Sequence, residues 1–349
     1  MTGTNSGNIK IRVVVDAMGG DFGPVNEVAG SILAVKEKPE HIEIILTGKE
    51  DLLKKELSRN SYSGESIKIV NADEVITMED SPTEAFKSKP NSSLNVGLDL
   101  LKKNEADAFI SAGNTGAVLA ASTLKLGRIK GVSRPTIGSI FPTDTGRKTM
   151  VFDVGASVDC RPQHLLEYAI MGSIYMNYIF KVDKPKIGLL NVGEEKSKGN
   201  ELTIQTYELL ERSGLNFIGN IEGRDVLKAK ADVVVCDGFV GNVILKFAES
   251  VLDVLRTKFK MYADQSLFKK IMVGLSYKTL KAVIKDFDYQ EYGGVPLLGV
   301  NGVSIIGHGK SSPLAIKNMI FKGEEVVRSG VNAKIASDIS EISQKVKAI

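Results

Sequence analysis

The chain has 349 residues, 43% of them apolar and 25% charged, with a net charge of +3. This is the composition of a globular protein with a sizeable core, and so small a charge gives no argument for nucleic-acid binding. Two cysteines, Cys160 and Cys236, exclude a disulfide framework and fit a reducing compartment. The polar start lacks the apolar core of a secretory signal, and no run reaches the roughly 18 apolar residues of a membrane span.

The first element is an apolar strand, Ile11–Asp16, which ends on an acid and opens into Ala17-Met18-Gly19-Gly20-Asp21-Phe22-Gly23-Pro24. Pro24 suits the first turn of a helix, and Glu27 would sit near its positive end. A strand, a glycine-rich turn and a helix in that order offer backbone N–H groups to an anion. Neither a GxGxxG spacing nor a P-loop ending is present, so a dinucleotide or ATP site is not indicated.

Further strands are expected at Ile42–Leu46, Ile67–Val70, Ala108–Ser111, Thr136–Phe141, Thr149–Val154, Lys186–Asn191, Asn216–Gly219 and Val233–Cys236. Helical spacing fills windows between them, such as Leu52–Leu57, Leu94–Leu101, Ala117–Leu126 and Leu202–Leu210. This alternation predicts an α/β fold, a mainly parallel sheet with helices on both faces. Residues around Thr143–Arg147 read as a hairpin. Two successive helices are expected between Val240 and Phe287, then strands at Val295–Val300 and Val303–Ile306, and closing helices at Leu314–Val327 and Ile335–Val346. The expected organisation is a polar extension (residues 1–9) and one catalytic domain (10–349) with a helical insertion at about 243–288.

Four loops carry the chemistry. Besides the opening one, with Asp16, Gly19, Gly20 and Asp21, the segment Ser111-Ala112-Gly113-Asn114-Thr115-Gly116 joins a strand to a helix. Its small residues admit a ligand to the backbone, which Asn114, Thr115 and Gly116 could bind; an ordinary tight turn is the alternative. Asn191–Glu201 presents Lys198 before Gly199 and Asn200, either to hold an anion or polarise a carbonyl, or as a solvated loop with Asn200 as helix cap. Asp237-Gly238-Phe239-Val240-Gly241-Asn242 again follows a strand. Were the sheet parallel, these loops would converge on one cleft at its carboxyl edge.

Gly307-His308-Gly309 exposes a histidine suited to acid–base work or anion binding. His41 and His164 are read as structural, and neither is placed with cysteine or acid at metal-ligand spacing, so a zinc site is not expected. Cys236 reads as core. Cys160 is a weak nucleophile candidate whose pKa Arg161 would lower. The second helix of the insertion sets Leu275, Leu280 and Val283 beside Lys269, Lys270, Lys278, Lys281 and Lys285. Such a helix suits a membrane surface, an acidic partner or a dimer contact, with Gly274 a weak point in it.

The segments VDAMGGDFGP, SAGNTGA, DVGASVDCRPQHL, NVGEEKSKGNE, DGFVGN and GVNGVSIIGHGKS spread over residues 13–312. Together they resemble the bacterial phosphate acyltransferases of the PlsX type, with Ser157 standing where that family is expected to carry asparagine. The resemblance implies a fold similar to phosphotransacetylases and isocitrate-dehydrogenase-like enzymes, a homodimer, and no cofactor or metal. It implies transfer of a long-chain acyl group from acyl carrier protein to inorganic phosphate, giving acyl phosphate for glycerolipid (phosphatidic acid) synthesis. It also implies a cytoplasmic protein held peripherally at the inner face of the cell membrane, near the downstream glycerol-phosphate acyltransferase. On this reading Lys198, Asn242 and His308 are catalytic. Asp16, Gly19, Gly20, Asp21, Asn114, Thr115, Gly116 and Asp237 bind substrate, and Leu275, Leu280, Val283, Lys278 and Lys281 form a membrane or dimer helix. Enzymes using coenzyme A thioesters, NAD-dependent decarboxylating dehydrogenases and a non-catalytic carrier-protein scaffold are the alternatives.

Overall fold

A computed structural model describes residues 10–284 and 292–347. The polar extension 1–9 and Lys285 lie outside the described residues, as do the side chains of Lys278, Leu280, Lys281 and Val283. The strands are β1 (Ile11–Asp16), β2 (Ile42–Gly48), β3 (Ile67–Asn71), β4 (Ala108–Ser111), β5 (Thr136–Pro142), β6 (Lys148–Phe152), β7 (Ile187–Leu190), β8 (Phe217–Ile221), β9 (Val233–Val235), β10 (Val295–Leu298) and β11 (Val303–Ile306). They form one sheet in the order β3-β2-β1-β4-β11-β10-β5-β6-β9-β7-β8.

Valine and isoleucine dominate these strands because their branched side chains fit a pleated surface buried on both sides. Alternation splits them cleanly between two cores. Val13, Val15, Ile44, Ile110, Phe152, Leu189 and Val235 feed one core, while Val14, Ile45, Phe109, Val151 and Val234 feed the other. Each fully buried valine or isoleucine contributes about 1.5–3 kcal/mol.

Helices α1 (Val25–Glu37), α2 (Glu50–Arg59), α6 (Pro162–Phe180), α7 (Glu201–Arg212), α10 (Pro313–Ser329) and α11 (Val331–Lys347) cover the first core. Helices α3 (Pro82–Ser88), α4 (Ser93–Lys102) and α5 (Thr115–Leu126), with the start of α8 (Gly238–Ala263), cover the second. Their starts are chemically marked. Ser92, Asn114, Asn200, Asp237 and Ser312 each accept a backbone N–H of the first turn, and Pro82, Pro162 and Pro313 occupy first-turn positions.

The sheet is mainly parallel, as expected, but not in one direction throughout. The strands β3, β2, β1, β4 and β11 are mutually parallel, and so are β6, β9, β7 and β8. Between them β10 pairs antiparallel with both β11 and β5, and β5 pairs antiparallel with β6 through the Thr143–Arg147 hairpin. Three reversals leave the two parallel halves running in opposite directions. Their carboxyl ends therefore lie at opposite edges of the sheet.

Beyond this body α8 continues into α9 (Leu267–Ile284), which runs uninterrupted through Gly274. Sequence spacing leaves α3, α6 and the short 3-10 turn Gly223–Lys228 unread. α6 escapes because it is apolar nearly all round, with Leu165, Leu166, Tyr168, Ala169, Ile170, Met171, Tyr175 and Met176 buried together.

Helices α1 and α10 meet at Gly30, where an added Cβ would fall 2.6 Å from both Ile316 Cβ and the Pro313 carbonyl oxygen. Gly30→Ala forces this pair apart despite its gain in helix propensity. We expect about 1–3 kcal/mol of destabilisation in urea unfolding; an unchanged or raised midpoint contradicts the packing.

Candidate active site

The first loop set lies beyond β1, β4 and β11. Asp16, only 1% exposed, accepts a 2.7 Å hydrogen bond from Ser111 Oγ and a longer one from the Met18 N–H. Burial raises its pKa, against the opposing pull of hydrogen bonds from Ser93, Ser111, Met18 and Gly19. The glycine pair is explained by what lies beneath it. A Cβ on Gly19 would come 2.5 Å from the Asp16 carboxylate, and one on Gly20 would collide with the carboxyl of Glu27. Glu27 does occupy the first turn of α1, yet not as a solvated partner of the helix dipole. It is 1% exposed, its Oε2 has no hydrogen-bond partner, and burial pushes its pKa up to about 8, with Asp16 and Asp21 adding to the effect.

The rest of this set is closely tied. The Asp21 N–H donates to the Gly309 carbonyl, and Asn26 Nδ2 to the Ser311 carbonyl, both at 2.9 Å. Asn114 caps α5 through Oδ1, while its Nδ2 donates to the carbonyls of Thr77, Met78 and Asp80. That side chain is occupied as a clamp. Thr115 is exposed, and Gly116 faces Pro82. His308 is exposed, and its Nδ1 accepts the Lys310 N–H at 3.2 Å.

The second set lies beyond β6, β7 and β9. Buried Asp153 accepts backbone N–H bonds from Ile137, Gly155, Ala156 and Ser157 at 2.7–3.3 Å, and burial raises its pKa. Gly155, at φ 134°, lies against Asn242, whose Cβ and amide would be 3.6 Å from a Cβ on that glycine. Asp237 Oδ1 caps α8 by accepting the Val240 N–H at 2.9 Å, and Gly238 and Gly241 press onto the backbone of Ser157 and Asp153. Asn242 is exposed one turn into α8.

On neighbouring β7 the Asn191–Asn200 loop is pinned from two sides. Asn191 Nδ2 donates to the Lys198 carbonyl and Asn220 Nδ2 to that of Glu195, both at 2.9 Å. Asn200 caps α7, as the plainer sequence reading held, and Gly199 takes φ 105° between them. Lys196 pairs with Glu211, and Glu194 with Lys230. Lys198 is exposed and has no acidic partner among the described residues.

The expected convergence of four loops is therefore corrected. One edge of the sheet gathers Asp16, Gly19, Gly20, Asp21, Asn114, Thr115, Gly116 and His308, and the other gathers Lys198, Asp237 and Asn242. His308 does not join Lys198 and Asn242 within one protomer. The activated-thiol reading of Cys160 is also overturned. Burial raises its pKa, and Sγ contacts the Ser157 carbonyl and the Tyr168 hydroxyl rather than a cation. Cys236 is buried, as expected of a core residue. Among the described residues no group of three or more histidines, cysteines and acids could hold a metal ion.

The class is an α/β protein with one mainly parallel, mixed sheet between helical layers, a fold shared with phosphotransacetylases. A phosphotransacetylase from Streptococcus pyogenes superposes with a TM-score of 0.62, covering 91% of this chain and 94% of that one at 16% identity. The chain belongs to the fatty acid synthesis protein family, whose sequence profile matches residues 11–334, and to its phosphate acyltransferases. It is 45% identical over 336 residues to the phosphate acyltransferase of Dictyoglomus thermophilum, covering 96% of this chain and 99% of that protein. The phosphate acyltransferase of Chlorobaculum parvum is 47% identical over 338 residues, covering 95% and 99%.

Glu27 supplies a pH test. Its folded pKa lies above its unfolded value, so the folded state binds the extra proton between the two. Stability is then greatest below the unfolded value near 4.5 and declines as pH rises toward about 8. We expect Glu27→Gln to lack this decline, its melting temperature gaining on the wild type from pH 5 to 8. Parallel melting curves across that range would falsify the buried, proton-holding assignment.

Proposed function

We propose that this chain transfers a long-chain acyl group from the thioester of acyl carrier protein to inorganic phosphate, releasing the free thiol and an acyl phosphate for glycerolipid synthesis. The observation that carries this reading is near-full-length identity of 45–47% with phosphate acyltransferases. The open edge beyond β6, β7 and β9 is compatible with it. A phosphate oxygen attacks the thioester carbonyl, the tetrahedral oxyanion forms, and its collapse expels the thiolate.

Phosphate is already nucleophilic at neutral pH, so the protein's task is to position it and stabilise the oxyanion. Lys198 contributes an ammonium not neutralised by a neighbouring acid, and Asn242 an amide donor beside Gly155. Asp237 shapes the loop as a cap and leaves substrate contact to these two. Gly19, Gly20, Thr115 and His308 lie at the opposite edge of the sheet, so within one protomer they take no part in this step. Residues 10–349 act as one catalytic unit in this scheme.

In this reading the protein sits peripherally at the inner face of the cell membrane, as a homodimer close to the downstream glycerol-phosphate acyltransferase; the exposed hairpin supports the membrane part. Phe247, Leu267, Phe268 and Leu275 are exposed along α8 and α9, Leu275 by 77%, with Lys269 and Lys270 beside them. An apolar stripe flanked by lysines suits insertion at an anionic lipid surface. Among the described residues no helix is long and apolar enough to cross a membrane.

Purified protein is mixed with palmitoyl-carrier protein and phosphate, acyl phosphate is trapped with hydroxylamine, and free thiol is measured. We expect phosphate-dependent release of both. Thiol release independent of phosphate indicates a thioesterase, and turnover of palmitoyl-coenzyme A alone moves the donor to coenzyme A. Lys198→Ala and Asn242→Ala should each lower kcat by about 100- to 1,000-fold; near-normal turnover at saturating phosphate removes the residue from the mechanism. Phe268→Glu with Leu275→Glu should release the protein from anionic vesicles in flotation, and unchanged flotation rejects the membrane assignment.

A further inference from the structure

The segment joining α5 to β5 carries Arg128, Lys130 and Arg134, and no acid occurs between Asp107 and Asp144. Arginines elsewhere in the molecule are largely paired, such as Arg12 with Asp107, Arg59 with Glu56 and Arg328 with Glu324. Arg128 donates to the Ser133 carbonyl. Arg134 and Arg161 are exposed, and neither guanidinium makes an ion pair or a hydrogen bond among the described residues.

These two arginines are held at the amino end of α6 by specific contacts. Ser133 gives its N–H and its hydroxyl to the Glu167 carboxylate at 2.7 and 2.8 Å, fastening the segment onto α6 and occupying the one buried acid of that helix. Arg161 immediately precedes α6, and its backbone N–H donates to Nδ1 of His164 at 3.1 Å. With Nδ1 accepting, the ring proton resides on Nε2. His164 is 8% exposed and this is its only side-chain hydrogen bond among the described residues. Burial, with Arg134 and Arg161 adding to it, lowers its pKa, so the ring stays a neutral Nε2–H donor. Asp159 lies nearby in sequence but bonds to neither guanidinium.

The cluster belongs to the edge that carries Asn242. Arg134 leads into β5, where the Ile137 N–H donates to Asp153 and the Ile137 carbonyl accepts from Val154. The Asp153 loop then runs past Gly155, beside Asn242, to Arg161. Two unpaired guanidiniums, an unpartnered imidazole N–H and a long helix's positive end are a set built for an oxyanion with several acceptor oxygens.

We infer that Arg134, Arg161 and the Nε2–H of His164 form an anion site that takes the phosphate ester of a pantetheine arm, anchoring the acyl donor beside the edge where its thioester reacts. The inference rests on the acyl-transfer reading for its ligand. Inorganic phosphate shares the same chemistry, so the test separates the two sources.

Full-length protein is assayed with palmitoyl-4′-phosphopantetheine and with palmitoyl-pantetheine, which lacks the phosphate, and calorimetry measures 4′-phosphopantetheine binding. We expect the wild type to favour the phosphorylated donor in kcat/KM by about 10- to 100-fold. Arg134→Gln with Arg161→Gln should make the two donors equivalent and weaken 4′-phosphopantetheine binding by a similar factor. The KM for inorganic phosphate should not change, and Arg134→Lys with Arg161→Lys should restore part of the preference. Both arginines are exposed and unpartnered, so the melting temperature should hold. A donor preference that survives in the folded double variant overturns the site. A raised KM for inorganic phosphate with both donors also overturns it, making the cluster a site for the nucleophile. Binding of 4′-phosphopantetheine that depends on both arginines, without turnover of any thioester, sustains the site and rejects the acyl-transfer reading instead.

Discussion

Everything functional in this molecule depends on the reversal of strand direction at the centre of the sheet. A single parallel sheet has one carboxyl edge, and its loops crowd together there. Here β10 and β5 interpose antiparallel pairings between two parallel halves, so each half has its own loop-bearing edge. Alternating side chains still serve two continuous cores, because reversing a strand exchanges its ends and leaves its faces buried. The core is indifferent to direction, whereas the chemistry is not.

Each edge is organised around carboxyls withdrawn from water. Asp153 gathers backbone N–H groups and fixes the turn that sets Gly155 beside Asn242. Asp16 does likewise for the Gly19–Gly20 turn, with Glu27 packed under the second glycine. Burying charge is costly, so such acids either collect donors or retain a proton. Asp153 and Asp16 collect donors, while Glu27, with an unpartnered oxygen, keeps its proton. These glycines are thus required first by the protein's own side chains, and any ligand approaches a surface that the buried acids have already shaped.

The edge beyond β6, β7 and β9 differs from its counterpart in how freely its polar groups face outward. Lys198 is exposed on a well-anchored loop and Asn242 at the start of α8, both without acidic partners among the described residues, and the Arg134–Arg161 pair borders the same edge. Across the sheet, the clamp formed by Asn114 and the Asp21–Gly309 bond consume much of the local hydrogen-bonding capacity. Helix α8, which carries Asn242 in its second turn, runs on toward the exposed apolar side chains of the α8–α9 hairpin.

By itself the sequence determined the strands, the loops that follow them, the cap at Asn200 and the family, because each is written in local order. β-branched runs define strands, short polar side chains cap the helices they precede, and family motifs are contiguous. Helix α6 was illegible because a helix buried on most sides loses its periodic polar face. Glu27 as a proton carrier, Cys160 as an inert thiol and the Arg134–His164–Arg161 cluster were illegible because burial and long-range pairing set them. Tertiary structure alone decided which loops share an edge. The Thr143–Arg147 hairpin marks one reversal in local sequence, but the two halves are joined through the pairing of Leu298 with Thr136, residues far apart in the chain that no local pattern brings together.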